Sequence, residues 1–98
     1  MSYYNLAGKT LLVTGAETGI GRAIAIRAAK DGANVTAAGI NNEGLKETLE
    51  LARAEGAEER FLALVVDIRD AVQVQKIFDD TLLKFSRLDA TVANAGVM

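Results

Sequence analysis

The chain has 98 residues, eleven Lys plus Arg against thirteen Asp plus Glu, and no Cys, His, Pro or Trp. Without Cys and His there is no disulfide framework, no zinc site of thiolate or imidazole ligands, and no nucleophile activated by a His base. A net charge of −2 spread along the chain argues against nucleic acid and anionic membrane as partners, because both reward clustered Lys and Arg.

The first element is the apolar run Thr10-Leu11-Leu12-Val13-Thr14, too short for a helix and stopped by Gly15, which predicts a buried strand. From Ile20 to Asp31 the apolar positions Ile20, Ala23, Ile24 and Ala28 recur at helical spacing, and Gly32 follows as a C-terminal cap. That stripe is expected to face a sheet. Val35-Thr36-Ala37-Ala38 reads as a second strand ending at Gly39, after which Asn41 or Asn42 can cap a helix with Leu45, Leu49 and Ala52 on one face. Gly56 ends it. Phe61 to Val66 is a continuous apolar run of the kind found in strands covered on both faces. Asp70 is expected to cap a third helix with Val74, Ile77, Phe78, Thr81 and Phe85 on its inner side, and Leu88 to Ala93 to form a fourth strand.

Strands alternating with helices make a parallel sheet of right-handed crossovers, and such sheets bind ligands at the carboxyl ends of their strands. The first of these tips reads Thr14-Gly15-Ala16-Glu17-Thr18-Gly19-Ile20-Gly21. Gly15 permits a sharp turn, Gly19 lets backbone approach a ligand, and Gly21 allows the helix to pack closely. The helix amino terminus beyond it offers free N–H groups and a positive dipole end, which suits a pyrophosphate. A flexible turn is the plain alternative. The strict G-x-G-x-x-G spacing is not met, since Ile24 stands where the third glycine would fall; the spacing is Gly-x3-Gly-x-Gly.

That spacing resembles the T-G-x3-G-x-G signature of the short-chain dehydrogenase/reductase family. Later tips extend the resemblance from Leu6 to Met98: Val66-Asp67-Ile68 looks like the family's adenine-contacting Asp with its apolar neighbour, and Ala93-Asn94-Ala95-Gly96 like its N-N-A-G segment. Ala93 departs from that segment. The resemblance implies a Rossmann-type sheet that binds NAD or NADP, and an enzyme that moves hydride between nicotinamide and an alcohol or carbonyl substrate. It also implies that Asn94 stabilises the sheet and does not react. Read alone, Asp67 is a surface carboxylate and Asn94-Ala95-Gly96 an ordinary turn.

Cofactor choice normally rests on the residue about 20 positions after the glycine loop, where an acid holds a ribose hydroxyl and a base a 2′-phosphate. The corresponding tip here is Gly39-Ile40-Asn41, neither acid nor base. Glu17 and Glu43 are the nearest charges and Thr18 supplies no cation, a balance that opposes a 2′-phosphate and favours NAD over NADP. Both glutamates also read as solvated helix-start residues.

The family's catalytic Ser, Tyr and Lys would follow the fourth strand, and no Tyr-x3-Lys pair occurs here. The expectation is therefore a doubly wound α/β half-domain over residues 1–98 with strand order 3-2-1-4, three helices and no catalytic residue of its own. The cofactor-binding set is Gly15, Glu17, Thr18, Gly19, Ile20, Gly39, Ile40, Asp67, Ile68, Asn94, Ala95 and Gly96. The chain alone is expected to be inactive. A stand-alone or engineered module that binds a dinucleotide or nothing is the alternative. No apolar run approaches the roughly 20 residues that span a bilayer and no signal peptide opens the chain, so a cytoplasmic setting is expected. Self-association through the fourth strand's open edge, or a homo-oligomer, is expected as well.

Overall fold

A computed structural model describes residues 6–94. In chain order they form β1 (Thr10–Thr14), α1 (Gly19–Lys30), β2 (Asn34–Gly39), α2 (Asn42–Ala54), β3 (Phe61–Val65), α3 (Ala71–Phe85) and β4 (Ala90–Ala93), with a 3-10 turn at Glu58–Arg60 ahead of β3. The strands make one parallel sheet in the order β3-β2-β1-β4. Thr14 stands opposite Ala38 on one side and Ala93 on the other, so three strand tips end level. Among the described residues no helix is long and apolar enough to cross a membrane.

Alternation along the strands sends side chains to two cores. Val13, Val35, Ala37 and Phe61 pack under α1 and α2 with Leu45 and Ala52, whereas Leu12 and Ala38 pack under α3 with Ile77 and Val66. Full burial of Leu12 and Leu45 contributes about 1.5–3 kcal/mol each. The five inner positions expected on α3 are its buried and half-buried apolar residues together with Thr81, whose hydroxyl is buried against that of Thr36 at 2.8 Å.

Helix ends follow the residues that can satisfy them. Asn41 accepts the Gly44 N–H at 3.0 Å and Asp70 accepts those of Val72 and Gln73, which leaves α2 and α3 capped at their amino ends. Ser86 closes α3 in the left-handed region at φ 67°. The chain then turns into β4, where Asp89 binds the Thr10 backbone twice: its side-chain carboxylate accepts the Thr10 N–H at 2.8 Å and its own N–H donates to the Thr10 carbonyl. β4 accordingly begins at Ala90, two residues after the predicted start.

Two expectations about burial are corrected. The buried face of α1 is Gly21, Ala25, Ala28 and Ala29, so of the expected stripe Ala28 is buried and Ile24 packs half-buried on the core, while Ile20 is 71% exposed and Ala23 is exposed. The helix seats its smallest residues inward because these let its backbone lie close against the sheet, and the larger Ile20 is turned out. β3 is an edge strand and its two faces are only partly covered: Phe61 and Val66 are buried in the cores on opposite faces, but Leu62, Ala63 and Leu64 are half-buried and Val65 is 51% exposed.

Candidate functional site

The chain leaves β1 through Gly15 at φ 65° and enters α1 through Gly19 at φ 58°, left-handed conformations that an L side chain adopts only with strain. Between them the Ala16 N–H donates to the Ala38 carbonyl at 3.1 Å, which holds the loop over the tip of β2. Unlike the other two long helices, α1 receives no side-chain cap from its N-cap residue, Thr18, and like α3 it has no acid in its first turn. Its leading N–H groups therefore lack intrahelical acceptors and keep the positive end of the helix dipole. A Cβ placed on Gly19 would meet nothing within 4 Å, so the approach to those N–H groups is open. Ile20 stands exposed beside it.

Gly21 plays a different part. A Cβ there would overlap the Gly15 carbonyl and lie 2.7 Å from Asn94 Nδ2. Asn94 itself donates its backbone N–H to Thr14 Oγ1 at 3.1 Å and its side-chain amide to the Gly15 carbonyl at 3.4 Å. The tip of β4 is thus tied to the loop that follows β1. Ala95 and Gly96 lie outside the described residues.

At the tip of β2 the loop and the strand meet through Glu17. Its Oε2 accepts the N–H groups of Ile40 at 2.8 Å and Asn41 at 3.1 Å, and its carboxylate occupies the space that a side chain on Gly39 would enter. Glu43, the other glutamate near this tip, is exposed and pairs with Lys46 at 3.7 Å, as a solvated helix-start residue does. Residues that the sequence reading did not single out anchor Glu17. The Arg22 guanidinium donates to the Glu17 and Gly44 carbonyls, to Thr48 Oγ1 at 2.9 Å and to Glu47 at 3.3 Å. Thr48 in turn donates to the Ala16 carbonyl at 2.8 Å. Gly44 is required beneath the loop, because a Cβ on it would stand 2.8 Å from the Glu17 carbonyl oxygen and 2.9 Å from its Cβ. Thr48, a polar residue on the same helical stripe as Leu45 and Ala52, is a local signal of this network in the sequence, and the structure buries it fully.

Beyond β3 the Val66 N–H donates to the Gly39 carbonyl at 2.8 Å, which sets Asp67 next to the β2 tip. The Asp67 carboxylate takes the Arg69 guanidinium on both oxygens, at 3.0 and 2.9 Å, and the Arg69 backbone N–H at 2.9 Å. These bonds, the guanidinium first, hold its carboxyl down to about 2. Gln73 steadies the turn by accepting the Asp67 N–H at 2.7 Å and donating to Asp70. Ile68 is 38% exposed at the same corner. The described members of the expected set therefore gather along one edge of the sheet, at the carboxyl ends of the strands.

Residues 9–98 match the family model described as short chain dehydrogenase. A short chain dehydrogenase/reductase of Gibberella zeae is 45% identical over 94 residues, which cover 96% of this chain and 34% of that protein. Among solved structures, the apo form of glucose dehydrogenase from Caenorhabditis elegans superposes with a TM-score of 0.92 at 38% identity, over 97% of this chain and 40% of that one. A short chain dehydrogenase from Mycobacterium paratuberculosis bound to NAD gives a TM-score of 0.88 at 37% identity, over 97% and 39%. The chain therefore spans about a third of the length of the curated relative and two-fifths of the solved structures. With the glycine loop, the strand order and the model match all in agreement, the chain belongs to the short chain dehydrogenase family.

Proposed function

We propose that the chain is the cofactor-binding part of an NAD(P)-dependent oxidoreductase that transfers hydride between nicotinamide and an alcohol or carbonyl substrate. The observation that carries this reading is the uncapped amino end of α1 behind a left-handed, unobstructed Gly19. A pyrophosphate fits there: it brings the charge that the dipole favours and the acceptors that the free N–H groups need. Gly15, Thr18, Gly19 and Ile20 form this cradle, and Asn94 fixes the β4 tip against it. Ala95 and Gly96 continue the same segment. Gly39 and Ile40 border the adenosine ribose, and Asp67 and Ile68 the adenine. NAD is favoured over NADP, because the β2 tip carries the Glu17 carboxylate and no cation.

When bound, the nicotinamide supplies or accepts the hydride. Reduction of a carbonyl also needs a proton donor within hydrogen-bond reach of the substrate oxygen. This chain has no His or Cys and no Tyr-x3-Lys pair, and we assign proton transfer to the portion of a parent enzyme that corresponds to the remaining length of the relatives. The substrate is a small molecule and the setting cytoplasmic in this reading.

Titration of the isotope-labelled chain with NAD, followed by amide NMR, tests it. The Gly19, Ile20 and Asn94 signals should shift together, and Gly19→Val, which strains the left-handed backbone and fills the approach, should abolish the shifts. Saturable binding that leaves those amides unmoved would place the ligand elsewhere. Turnover of an alcohol by the chain alone would contradict the assignment of proton transfer.

A further inference from the structure

We propose that Glu17 is the specificity-determining residue of the adenosine site: reaching over from the glycine loop, its carboxylate accepts a ribose hydroxyl and repels a 2′-phosphate, the task otherwise given to an acid in the second strand. The inference rests on the dinucleotide reading above and adds to it the residue that does the selecting.

Position carries the first step. β2 ends in Gly39, which has no side chain to offer, and the space into which one would grow is filled by the Glu17 carboxylate. The functional group missing from the strand is thus present at the same place, contributed by a residue 22 positions earlier in the chain. Orientation carries the second. Oε2 is fixed by the N–H groups of Ile40 and Asn41, while Oε1 has no hydrogen-bond partner among the described residues and remains available as an acceptor.

The scaffold carries the third. Arg22 holds the Glu17 carbonyl, and Gly44 leaves room for the Glu17 backbone and Cβ. Two glycines from separate elements, Gly39 and Gly44, therefore make space for one glutamate. The Arg22 guanidinium is engaged by two carbonyls, Thr48 and Glu47. A 2′-phosphate arriving at the β2 tip would meet the carboxylate and compete with it for the Ile40 and Asn41 N–H groups. Repulsion of like charges at such separations weakens binding by roughly tenfold or more.

Calorimetric titration of the 98-residue chain with NAD and with NADP provides the test, using wild type, Glu17→Gln and the double variant Glu17→Ala/Gly39→Asp, in which the shortened side chain clears the space beside Gly39. Glutamine keeps an oxygen for the Ile40 and Asn41 N–H groups and removes only the charge. The wild type should bind NAD about tenfold or more tighter than NADP, the Gln variant should bring that ratio close to one, chiefly by gaining NADP affinity, and the double variant should restore it. An unchanged ratio in a Gln variant that still binds, or a wild type that prefers NADP, would overturn the role given to Glu17 while leaving the dinucleotide site standing. A wild-type chain that melts cooperatively but binds neither cofactor would overturn the site and the inference together.

Discussion

The carbonyl of Gly15 occupies the space where a Cβ on Gly21 would stand, so the strand-to-helix turn and the first turn of α1 are in backbone contact. The third glycine of the loop is there for packing, while Gly19 faces open space. Gly21→Ala should destabilise the fold by about 1–3 kcal/mol, because neither a backbone carbonyl nor the Asn94 amide held beside it can retreat without breaking the tie to β4. Urea melts of the variant and the wild type read this directly. Equal midpoints would show that α1 can shift outward at no cost.

The Thr36 and Thr81 hydroxyls are both buried, and the one proton on Thr81 is directed to the Ile77 carbonyl at 2.7 Å, so Thr36 donates to Thr81. That direction predicts an asymmetry between two isosteric changes. Thr81→Val leaves the Thr36 donor buried without an acceptor and should cost about 1–3 kcal/mol, whereas Thr36→Val leaves Thr81 still bonded to Ile77 and should cost less. The double variant should recover part of the Thr81→Val loss. Equal single-variant costs that simply add would mean that the two hydroxyls do not depend on each other.

What the sequence made legible was whatever is local. β1, the Asn41 and Asp70 caps and the inner face of α3 each follow from a pattern that fits within one element, whereas alternation gives only a parallel sheet and the strand order came with the family resemblance. On α1 the expected stripe holds at Ile24 and Ala28 and fails at Ile20 and Ala23, because Ile20 outweighs alanine on any hydrophobic count. Close packing there selects Gly21, Ala25, Ala28 and Ala29 for their small size. At the site, the glycine loop was visible as a motif. The contact of Glu17 with the β2 tip was not, since it joins residues on different elements and depends on the space left at Gly39 and Gly44. The same contact changes the meaning of an acid at position 39: an Asp added to the wild type would collide with the Glu17 carboxylate, so only in its absence can a strand-borne acid take over.

Asp67 makes stability depend on acid. Its carboxyl is held at about 2, below the ordinary 3.8, by the Arg69 guanidinium and then by the Arg69 N–H. Asp89 is lowered in the same direction by Arg87 and by the Thr10 N–H. A folded-state value below the unfolded one means that the stabilisation is complete above the unfolded value and is lost as pH falls through the folded one. For Asp67 that window runs from about pH 4 down to about pH 2. Its carboxylate is at the surface, so the effect is small and best seen by difference. Asp67→Asn should lose less stability than the wild type between about pH 6 and about pH 3 in parallel melts. Identical losses would show that the Asp67–Arg69 pair persists in the unfolded chain or does not form.

The other open edge belongs to β4. It pairs with β1 on one side, and among the described residues no strand lies on its other side. Its residues Ala90, Thr91, Val92 and Ala93 include no Lys or Pro to discourage pairing, and Thr91 and Ala93 are exposed. A row of free N–H and C=O groups on such a strand is a template for another chain. Apolar surface adds to the attraction, since Leu6, Leu11, Ile20 and Ile24 line a groove with Ile20 largely exposed. A domain of this size buries only about two-thirds of its unfolded surface, which leaves little stability to set against association. The 98-residue chain should therefore show a mass that rises with concentration in sedimentation equilibrium. Thr91→Lys, which places a charge beside the free edge without touching a buried residue, should move the chain back toward the monomer. A wild type that remains monomeric across the concentration series and melts cooperatively would show that the twist of the sheet or the α1 surface already protects this edge.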